Sequence, residues 1–431
     1  MLARRVHSGG RQHAARRQIV KARGQLRLLA GLRAALLPSF MSDLMKQPNA
    51  ARQPQATAVE MARALAKRPG LVFLDSAVPD QDGRSIIASE PVEIIEGCIW
   101  SDAGKLREVL HKNCQDQPGG LFGHVSFDGK FLFGVYPQCT VFDGKGKAGS
   151  PPHGGEQIQF TPLMSEAEFV RITRRAKEYI AAGDIYQVNL SYPWIAEWPR
   201  DLEPFNFYER LRCASPAPHA AYLDLGGTQI FSASPECFLK INGRKIVSRP
   251  IKGTRPRGSD GESDRRLSAE LAGSEKERAE LVMITDLERN DLGQVCEFGS
   301  VQVRDLLRLE QHAQVHHLVS TVEGTLRKDV DHLAAFIACF PGGSISGAPK
   351  KRALEIIQEL EPHPRDIYTG AIGWFGFHGE SQFSIAIRTA WKNGNSVRFH
   401  TGAGIVADSV PELEYEETRH KAAGILKAAG S

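Results

Sequence analysis

Apolar and polar residues alternate along the chain in patterns typical of both helices and strands. Phe169, Ile172 and Ala176 recur at helical spacing, which predicts a helix with one apolar face. Ser165 and Glu168 stand three residues apart just before this face and match a capping box. We therefore expect a helix to begin after Ser165.

Short apolar runs separated by turn-forming residues predict strands elsewhere. Asn242-Gly243 lies between two such runs and is typical of a tight β-hairpin. The segment from Thr369 to Val406 repeats the arrangement, with turns expected at His378-Gly379 and Asn393-Gly394. Because runs of antiparallel strands are mixed with helices, the expected fold class is α+β rather than a doubly wound parallel sheet.

The pattern divides the 431-residue chain into three parts. Residues 1–42 form a basic extension that we expect to be disordered. Residues 55–150 mix helix and strand signals, which predicts an N-terminal α+β subdomain. Residues 160–431 form the predicted main domain, and the turn-rich segment 143–157 predicts a loop before it.

Charge is concentrated in the first of these parts. The formal net charge is +4, yet nine Arg and Lys residues and no acidic residue precede Asp43, so the remainder is net negative. An acidic body argues against nucleic-acid binding. The basic segment itself is typical of a targeting sequence, of a translated region upstream of a start at Met41, or of a nucleic-acid-binding arm. The sequence leaves these three alternatives open.

The cysteines and the hydropathy of the chain indicate in which compartment the protein is expected. The seven cysteines are odd in number and contain no C-x-x-C spacing, so we expect them to be reduced, in a compartment such as the cytoplasm. No run approaches the roughly 20 apolar residues that a membrane span requires, so no membrane partner is expected.

Four carboxylates occur as two pairs at helical i, i+3 spacing. Glu277 with Glu280 and Glu414 with Glu417 each share one face of a predicted helix. Two such faces brought together would suit Mg²⁺. Helix capping and interaction with the helix dipole are the simpler explanations of each pair. Lys421 follows Glu417 by four residues and would form an ion pair with it or bind an anionic ligand.

Lys252 lies in an Arg-rich segment, Arg249 to Arg257. A lysine becomes a nucleophile only when desolvation or neighbouring cations lower its pKa. Arg249, Arg255 and Arg257 could supply those cations. The alternative is an ordinary exposed lysine before a glycine turn.

Three further positions could carry chemistry. The Gly-rich loop from Phe340 to Lys350 enters a predicted helix and could hold an anion, or it could be a tight loop without a ligand. His317 could be an acid–base group or a packing residue. Glu236 could be a general acid or base if it is buried, or an ordinary solvated residue.

Eight motifs along the chain, taken in order, resemble those of the chorismate-utilising enzymes. They are Tyr186–Ser191, Ser234–Glu236, Pro250–Arg257, Asp286–Leu292, His317–Thr321, Phe340–Lys350, Tyr368–Ala371, and Gly402–Ile405 with Glu414–Thr418. The resemblance covers about residues 160–427. It implies large, mostly antiparallel sheets packed together with helices outside, and a chorismate-binding catalytic domain that uses Mg²⁺.

The resemblance also implies a role for individual residues. The implied Mg²⁺ ligands are Glu277, Glu280, Glu414 and Glu417. The implied substrate-binding residues are Gly253, Thr254, Ser344, Tyr368, Arg388, Gly402, Ala403, Gly404 and Lys421. The implied catalytic residues are Lys252, Glu236 and His317, with Glu236 carrying a proton at the 4-position of the ring.

Two positions distinguish reactions within the family. Members that add water have a lysine where this chain has Gln187, so ammonia is the expected nucleophile here. Members that form anthranilate carry a small residue at position 252, whereas lysine there is typical of members that form 4-amino-4-deoxychorismate, the precursor of 4-aminobenzoate and folate. The resemblance thus implies a covalent intermediate on Lys252.

The implied partner is a glutamine amidotransferase subunit, because the chain shows no glutaminase nucleophile of its own. The alternative reaction is anthranilate formation for tryptophan synthesis. Two other classes remain: nucleic-acid binding through the basic arm, and an inactive homologue that only binds a partner. The acidic body argues against the first, and the presence of the four glutamates, Arg388 and Lys252 argues against the second.

Overall fold

The computed structural model describes residues 57–78, 83–113, 118–143, 156–311 and 315–430. These residues belong to one compact unit, Thr57–Ser431. The predictions for residues 1–42, and most of the predicted loop at 143–157, lie outside the described residues.

Every strand pairing in the described residues is antiparallel, and the strands form two ten-stranded sheets. Strands are numbered in chain order. The first sheet runs β16 (Gly347–Ala348), β8 (Gln187–Glu197), β20 (Ser396–Ile405), β19 (Thr389–Asn393), β10 (Thr228–Ser234), β9 (His219–Leu225), β1 (Val72–Asp75), β2 (Arg84–Ala88) and β6 (Thr140–Asp143), with β7 (Thr161–Pro162) beside β8.

The second sheet contains the Asn242-Gly243 hairpin, which forms as predicted between β11 and β12. Its order is β13 (Ile251–Pro256), β15 (Val315–Thr325), β12 (Lys245–Arg249), β11 (Cys237–Asn242), β18 (Ser381–Ile385), β17 (Ala371–Gly376), β4 (Gly120–Val125), β5 (Lys130–Tyr136) and β3 (Glu93–Cys98), with β14 (Gln302–Gln311) beside β15. The turns predicted after His378 and Asn393 also join hairpin strands.

Helices flank the two sheets. They are α1 (Ala58–Leu65), α2 (Ala103–Lys112), α3 (Glu166–Ala181), α4 (Pro204–Ala214), α5 (Gly261–Gly273), α6 (Glu275–Gly293), α7 (His332–Cys339), α8 (Lys350–Leu360) and α9 (Pro411–Ala429). The capping box predicted at Ser165 is present at the start of α3. Within the described part of the chain, no helix combines the length and apolar character that membrane crossing requires.

Clusters of buried apolar side chains hold the sheets and helices together. One apolar cluster joins the facing sides of the two sheets, with Val72 and Leu223 from the first sheet and Phe122 and Trp374 from the second. Two further clusters pack the outer faces of the sheets against helices. The predicted α+β class, with packed antiparallel sheets and helices outside, is confirmed.

Residues 55–150, predicted as a subdomain, contribute to both sheets. They supply β1, β2 and β6 to the first sheet and β3, β4 and β5 to the second. Strands β9 and β17, from the predicted main domain, are their direct neighbours. The two predicted regions therefore share continuous sheets.

Candidate active site

Helices α6 and α9 bring the two predicted carboxylate pairs together. The Nζ atom of Lys276 on α6 lies 2.9 Å from a carboxylate oxygen of Glu414 on α9 and links the helices. Burial raises the pKa of Glu277, and the nearby negative charges of Glu280 and Glu417 raise it further. The acidic cluster implied by the sequence is thus present, although these residues come from distant parts of the chain.

Each of the four carboxylates faces its own positively charged side chain. The pairs are Glu277 with Arg255 at 3.6 Å, Glu280 with Lys252 at 2.6 Å, Glu414 with Lys276 at 2.9 Å, and Glu417 with Lys421 at 2.7 Å. The ion pair of Lys421 that the sequence offered as one alternative is therefore formed. The acidic charge of the cluster is largely balanced by the protein itself.

Carboxylate oxygens are the ligands that Mg²⁺ prefers, so the donor type of this cluster fits the ion. The positions of these side chains do not match a formed metal site. Across the described residues, no group of three or more acidic, His or Cys side chains is placed around one point as metal ligands. A divalent ion bound here would take over from the lysine and arginine side chains that balance the negative charge of the four glutamates. Mg²⁺ binding therefore stays a prediction.

Lys252 lies at the centre of the cluster. Its side chain is only 14% exposed. Its Nζ atom donates to Glu280 Oε1 at 2.6 Å and to the backbone carbonyl of Ser344 at 3.3 Å. Gln187 donates its amide to the same Glu280 oxygen, also at 2.6 Å. Lys252 and Gln187 thus meet at one carboxylate.

The arginines near Lys252 in sequence do not crowd it as predicted. Arg249 pairs with Glu310, Arg255 with Glu270 and Glu277, and Arg257 with Asp264. The direct charged partner of Lys252 is instead an acid. The sequence around Lys252 shows only the neighbouring arginines. It does not show that Glu280 and Ser344, which lie on other elements, contact the amine.

Glu236 is buried, at 6% exposure, which excludes the alternative of a solvated residue. Burial raises the pKa of its carboxyl to about 7, against the smaller lowering effects of the Ser344 hydroxyl and the Lys252 charge. A carboxyl that titrates near neutrality can both donate and accept a proton under ordinary conditions. Glu236 therefore has the environment of a general acid or base.

This raised pKa predicts a pH-dependent stability. Because the pKa of Glu236 is about 7 in the folded chain against an ordinary 4.5, the folded state binds more protons between these values. Stability should therefore fall as pH rises through this window, by on the order of 3 kcal/mol relative to Glu236→Gln. Urea unfolding of both proteins at pH 5 and pH 8 measures the difference. An equal stability difference at the two pH values would contradict the burial of Glu236.

Glycines shape the wall opposite Lys252. A Cβ atom at Gly404 would lie 2.5 Å from the Gln187 amide nitrogen and 2.9 Å from Glu280 Oε1. One at Gly402 would lie 3.0 Å from the hydroxyl oxygen of Tyr368. Lys421 donates to the Gly402 carbonyl at 3.0 Å. Tyr368, Gly402, Gly404 and Lys421 are thus brought together as predicted.

Gly253 and Ala403, two other predicted contacts, differ in how they face the cluster, and the protonation state of Tyr368 is fixed by its burial. Gly253 adopts a φ of 72°, and a Cβ there would lie 3.0 Å from Glu277 Oε2, so glycine is required. Ala403 packs its methyl group in the hydrophobic core, so only its backbone can face a ligand. Burial raises the pKa of Tyr368 to about 12, which keeps its hydroxyl neutral.

His317 and Arg388 lie together on a cleft of about 550 Å³, whose walls include none of the other predicted site residues. Thr254 connects the two regions, because its hydroxyl lies 2.9 Å from His317 Nδ1. Burial lowers the pKa of Arg388, and no neighbouring carboxylate in the described residues contributes to its titration. Its φ of 50° is a strained conformation for a residue with a side chain. A half-buried guanidinium with no carboxylate partner among the described residues suits an anionic ligand.

Several residues that organise the site were not singled out from the sequence. Lys276, Glu288 and Arg365 make their contacts with residues 138, 55 and 20 positions away, respectively. No local spacing signals such contacts. The adjacency of Lys276 to Glu277 was the one available hint.

Three comparisons relate this geometry to known proteins. Residues 139–427 match the family of chorismate binding enzymes. The chain is 47% identical over 274 residues to anthranilate synthase component 1 of Thermus thermophilus, which covers 64% of this chain and 59% of the relative. It is 45% identical over 269 residues to aminodeoxychorismate synthase component 1 of Bacillus subtilis. This match covers 62% of this chain and 57% of that relative. The chain thus spans less than two thirds of the length of these relatives.

A crystal structure of anthranilate synthase component I from Streptococcus pneumoniae superposes with a TM-score of 0.71 at 29% identity. The superposition covers 88% of this chain and 100% of that chain. The fold of the described residues is therefore that of a solved family member. Because the family description matches well over half of the sequence, the chain belongs to the family of chorismate binding enzymes.

Proposed function

We propose that this protein converts chorismate and ammonia to 4-amino-4-deoxychorismate. The observation that carries the proposal is the position of Lys252. Its amine lies inside the acidic cluster, against Glu280 and the Ser344 carbonyl, where most of the other predicted site residues converge. A lysine at this position is what distinguishes the proposed reaction from anthranilate formation within the family.

The proposed reaction proceeds in two displacements on the ring. The Lys252 ammonium, paired with Glu280 in the free enzyme, first loses a proton to solvent. The neutral amine then attacks C2, the ring double bonds shift, and the C4–O bond breaks so that the 4-hydroxyl, once protonated, leaves as water. Ammonia then attacks C4, the double bonds shift back, and the C2–N bond to Lys252 breaks. Glu236, with its pKa near 7, is the residue we propose to protonate the leaving hydroxyl.

Binding of the substrate falls to the residues around these two groups. Chorismate carries two carboxylates, and Arg388 and Lys421 are the cationic side chains proposed for the enolpyruvyl carboxylate, with Tyr368 donating its hydroxyl. When bound by the four glutamates, Mg²⁺ would supply positive charge to the ring carboxylate. The backbone at Gly402 and Gly404 leaves room for the ligand because neither position carries a side chain.

Ammonia is proposed to come from a glutamine amidotransferase subunit. Relatives on both sides of the family division are named component 1, which supports a second component for this chain too. Gln187 supports ammonia over water as the nucleophile, because an amide cannot act as a base as the lysine of water-adding members does.

Anthranilate formation is the second candidate. The relative from Thermus thermophilus carries that name, and its 47% identity to this chain is close to the 45% of the aminodeoxychorismate synthase. Sequence similarity therefore does not separate the two reactions, and only the residue at position 252 favours one of them.

Product identification tests the proposal directly. The purified full chain is incubated with chorismate, Mg²⁺ and ammonium at mildly basic pH, and the products are separated and identified by mass. We expect 4-amino-4-deoxychorismate, in which the enolpyruvyl group is retained. Anthranilate, which has lost it, would overturn the proposal in favour of the second candidate.

The basic N-terminal segment is expected to be dispensable for this chemistry. Deletion of residues 1–40 should leave turnover unchanged, because all proposed site residues lie between Gln187 and Lys421. Activity assays on the full and shortened chains provide the measurement, and loss of turnover on deletion would contradict it. Salt-dependent nucleic-acid binding that disappears on the same deletion would support the binding-arm alternative instead.

A further inference from the structure

A short turn beneath Lys252 connects the two proposed catalytic side chains. This Ser344 turn, Gly343–Ile345, is a single turn of 3₁₀ helix. The carbonyl of Ser344 accepts a hydrogen bond from the Lys252 amine at 3.3 Å, and its hydroxyl lies close enough to Glu236 to lower the pKa of that carboxyl. One residue thus contacts both the proposed nucleophile and the proposed proton donor, so its position sets theirs.

Two buried charged side chains hold this turn from opposite sides. Glu288, at 2% exposure, accepts a hydrogen bond from the Gly343 backbone N–H at 3.1 Å. Arg365, at 3% exposure, donates to the Ile345 carbonyl at 3.0 Å. The anion therefore holds the N–H at the start of the turn, and the cation holds the carbonyl at its end.

Both side chains are themselves fixed. The second oxygen of Glu288 accepts from the Ser248 hydroxyl at 2.9 Å, and Arg365 pairs with Glu361 at 2.7 Å and donates to the Asn189 carbonyl at 2.6 Å. A Cβ atom at Gly343 would lie 2.7 Å from Leu287 Cδ2 and 3.0 Å from Glu288 Oε1, so a side chain there would push against both residues.

Burying a carboxylate is unfavourable, and an apolar side chain of similar size would pack at least as well. A role in packing alone does not account for Glu288. We propose that Glu288 and Arg365 are positioning residues for chorismate amination, which act by clamping the Ser344 turn and thereby set the geometry of Lys252 and Glu236. This proposal rests on the proposed function, since it assigns these two residues to the same site.

The charge of Glu288 adds to its geometric effect. When Glu288 is ionised, its charge raises the pKa of Glu236, although burial is the main cause, and burial raises the pKa of Glu288 as well. The clamp therefore affects both where the carboxyl lies and how readily it holds a proton.

The test compares substitutions that keep or remove the acceptor for Gly343. Glu288→Gln retains an oxygen for the Gly343 N–H and offers its amide to Ser248. Glu288→Ala removes the acceptor, and Glu288→Asp withdraws it by one methylene while keeping the charge. Glu209→Ala is the matched control, because Glu209 is equally buried, at 4% exposure, but pairs with Arg63 outside the site.

Two readouts are measured on each full-length variant. Hydrogen exchange of the peptide containing residues 343–346 reports whether the turn is held. Steady-state kinetics with chorismate and ammonium separate kcat from KM. We expect Glu288→Ala and Glu288→Asp to lose protection and to lower kcat by about 100-fold, as a displacement of about 1 Å can do, with KM within about threefold of wild type.

Glu288→Gln is expected to recover protection and most of kcat, while Glu209→Ala keeps kcat despite a lower melting temperature. Normal kcat in a folded Glu288→Ala or Glu288→Asp variant would overturn the clamp, and so would a Glu288→Gln variant as slow as Glu288→Asp. If Glu288→Ala does not fold, Glu288→Asp decides. If the wild type forms anthranilate, the proposed function fails, and the clamp is judged by the same kcat ratios for that reaction.

Discussion

Replacing Lys252 with alanine should lower the rate of 4-amino-4-deoxychorismate formation by on the order of 10³-fold or more, as loss of a covalent nucleophile does in other enzymes. Lys252→Arg should be equally inactive, because guanidinium keeps its proton and cannot attack. Substrate binding should change far less, since the proposed carboxylate contacts lie on Arg388 and Lys421. Steady-state rates with ammonium, and product identification by mass, provide the measurement.

A remote lysine supplies the control for this experiment. Lys392 on β19 hydrogen-bonds to Gln229 and lies opposite Val397, at the end of β20 away from Gly402 and Gly404, so Lys392→Ala should keep wild-type turnover. Mass spectrometry of wild-type enzyme quenched during turnover should show a chorismate-derived adduct on the peptide containing Lys252. A Lys252→Ala variant with near-normal activity would rule out the covalent route. A variant that makes anthranilate instead would show that position 252 selects the product.

Glu417→Ala should remove Mg²⁺-dependent turnover. Removing one of four proposed carboxylate ligands is expected to raise the Mg²⁺ dissociation constant by on the order of 100-fold. Mg²⁺ binding is measured by calorimetry without substrate, so that the result does not depend on catalysis. The wild type should also gain melting temperature with Mg²⁺, because binding to the folded state stabilises it, whereas the variant should not.

The neighbouring residue makes a close control. Glu416 is exposed on the same helix but belongs to neither carboxylate pair, and Glu416→Ala should bind Mg²⁺ as the wild type does. The two variants lose the same charge from adjacent positions, so a general electrostatic effect would move both. An unchanged Mg²⁺ titration in Glu417→Ala would refute the ligand assignment.

Features of the fold that depend on interactions between residues close in sequence can be predicted from the sequence. The helix after Ser165 and the hairpin at Asn242-Gly243 are each specified within a few residues, and both form as predicted. The carboxylate pairs were also accessible, because i, i+3 spacing places Glu277 and Glu280 on one helix face. The α+β class followed from the same local patterns.

The remaining features depend on contacts between distant parts of the chain. Lys276 meets Glu414 across 138 residues, and Glu288 meets Gly343 across 55, and neither pairing has a periodicity that reveals it. For the same reason the sequence left the environment of Lys252 open between neighbouring cations and an exposed side chain, and neither alternative names its partner. Neighbouring arginines were visible in the sequence, whereas Glu280, which pairs with Lys252, comes from a helix 28 residues later.

The sharing of both sheets by residues 57–143 limits how this protein can be divided or recombined. A fragment that began near residue 156 would leave β9 and β17 as new sheet edges. All six residues of β17 are buried, so its edge would present unpaired backbone groups within a hydrophobic surface. Such fragments should aggregate, although they retain every residue of the proposed site. Chimeras with relatives should therefore exchange the strands before residue 143 together with their partners.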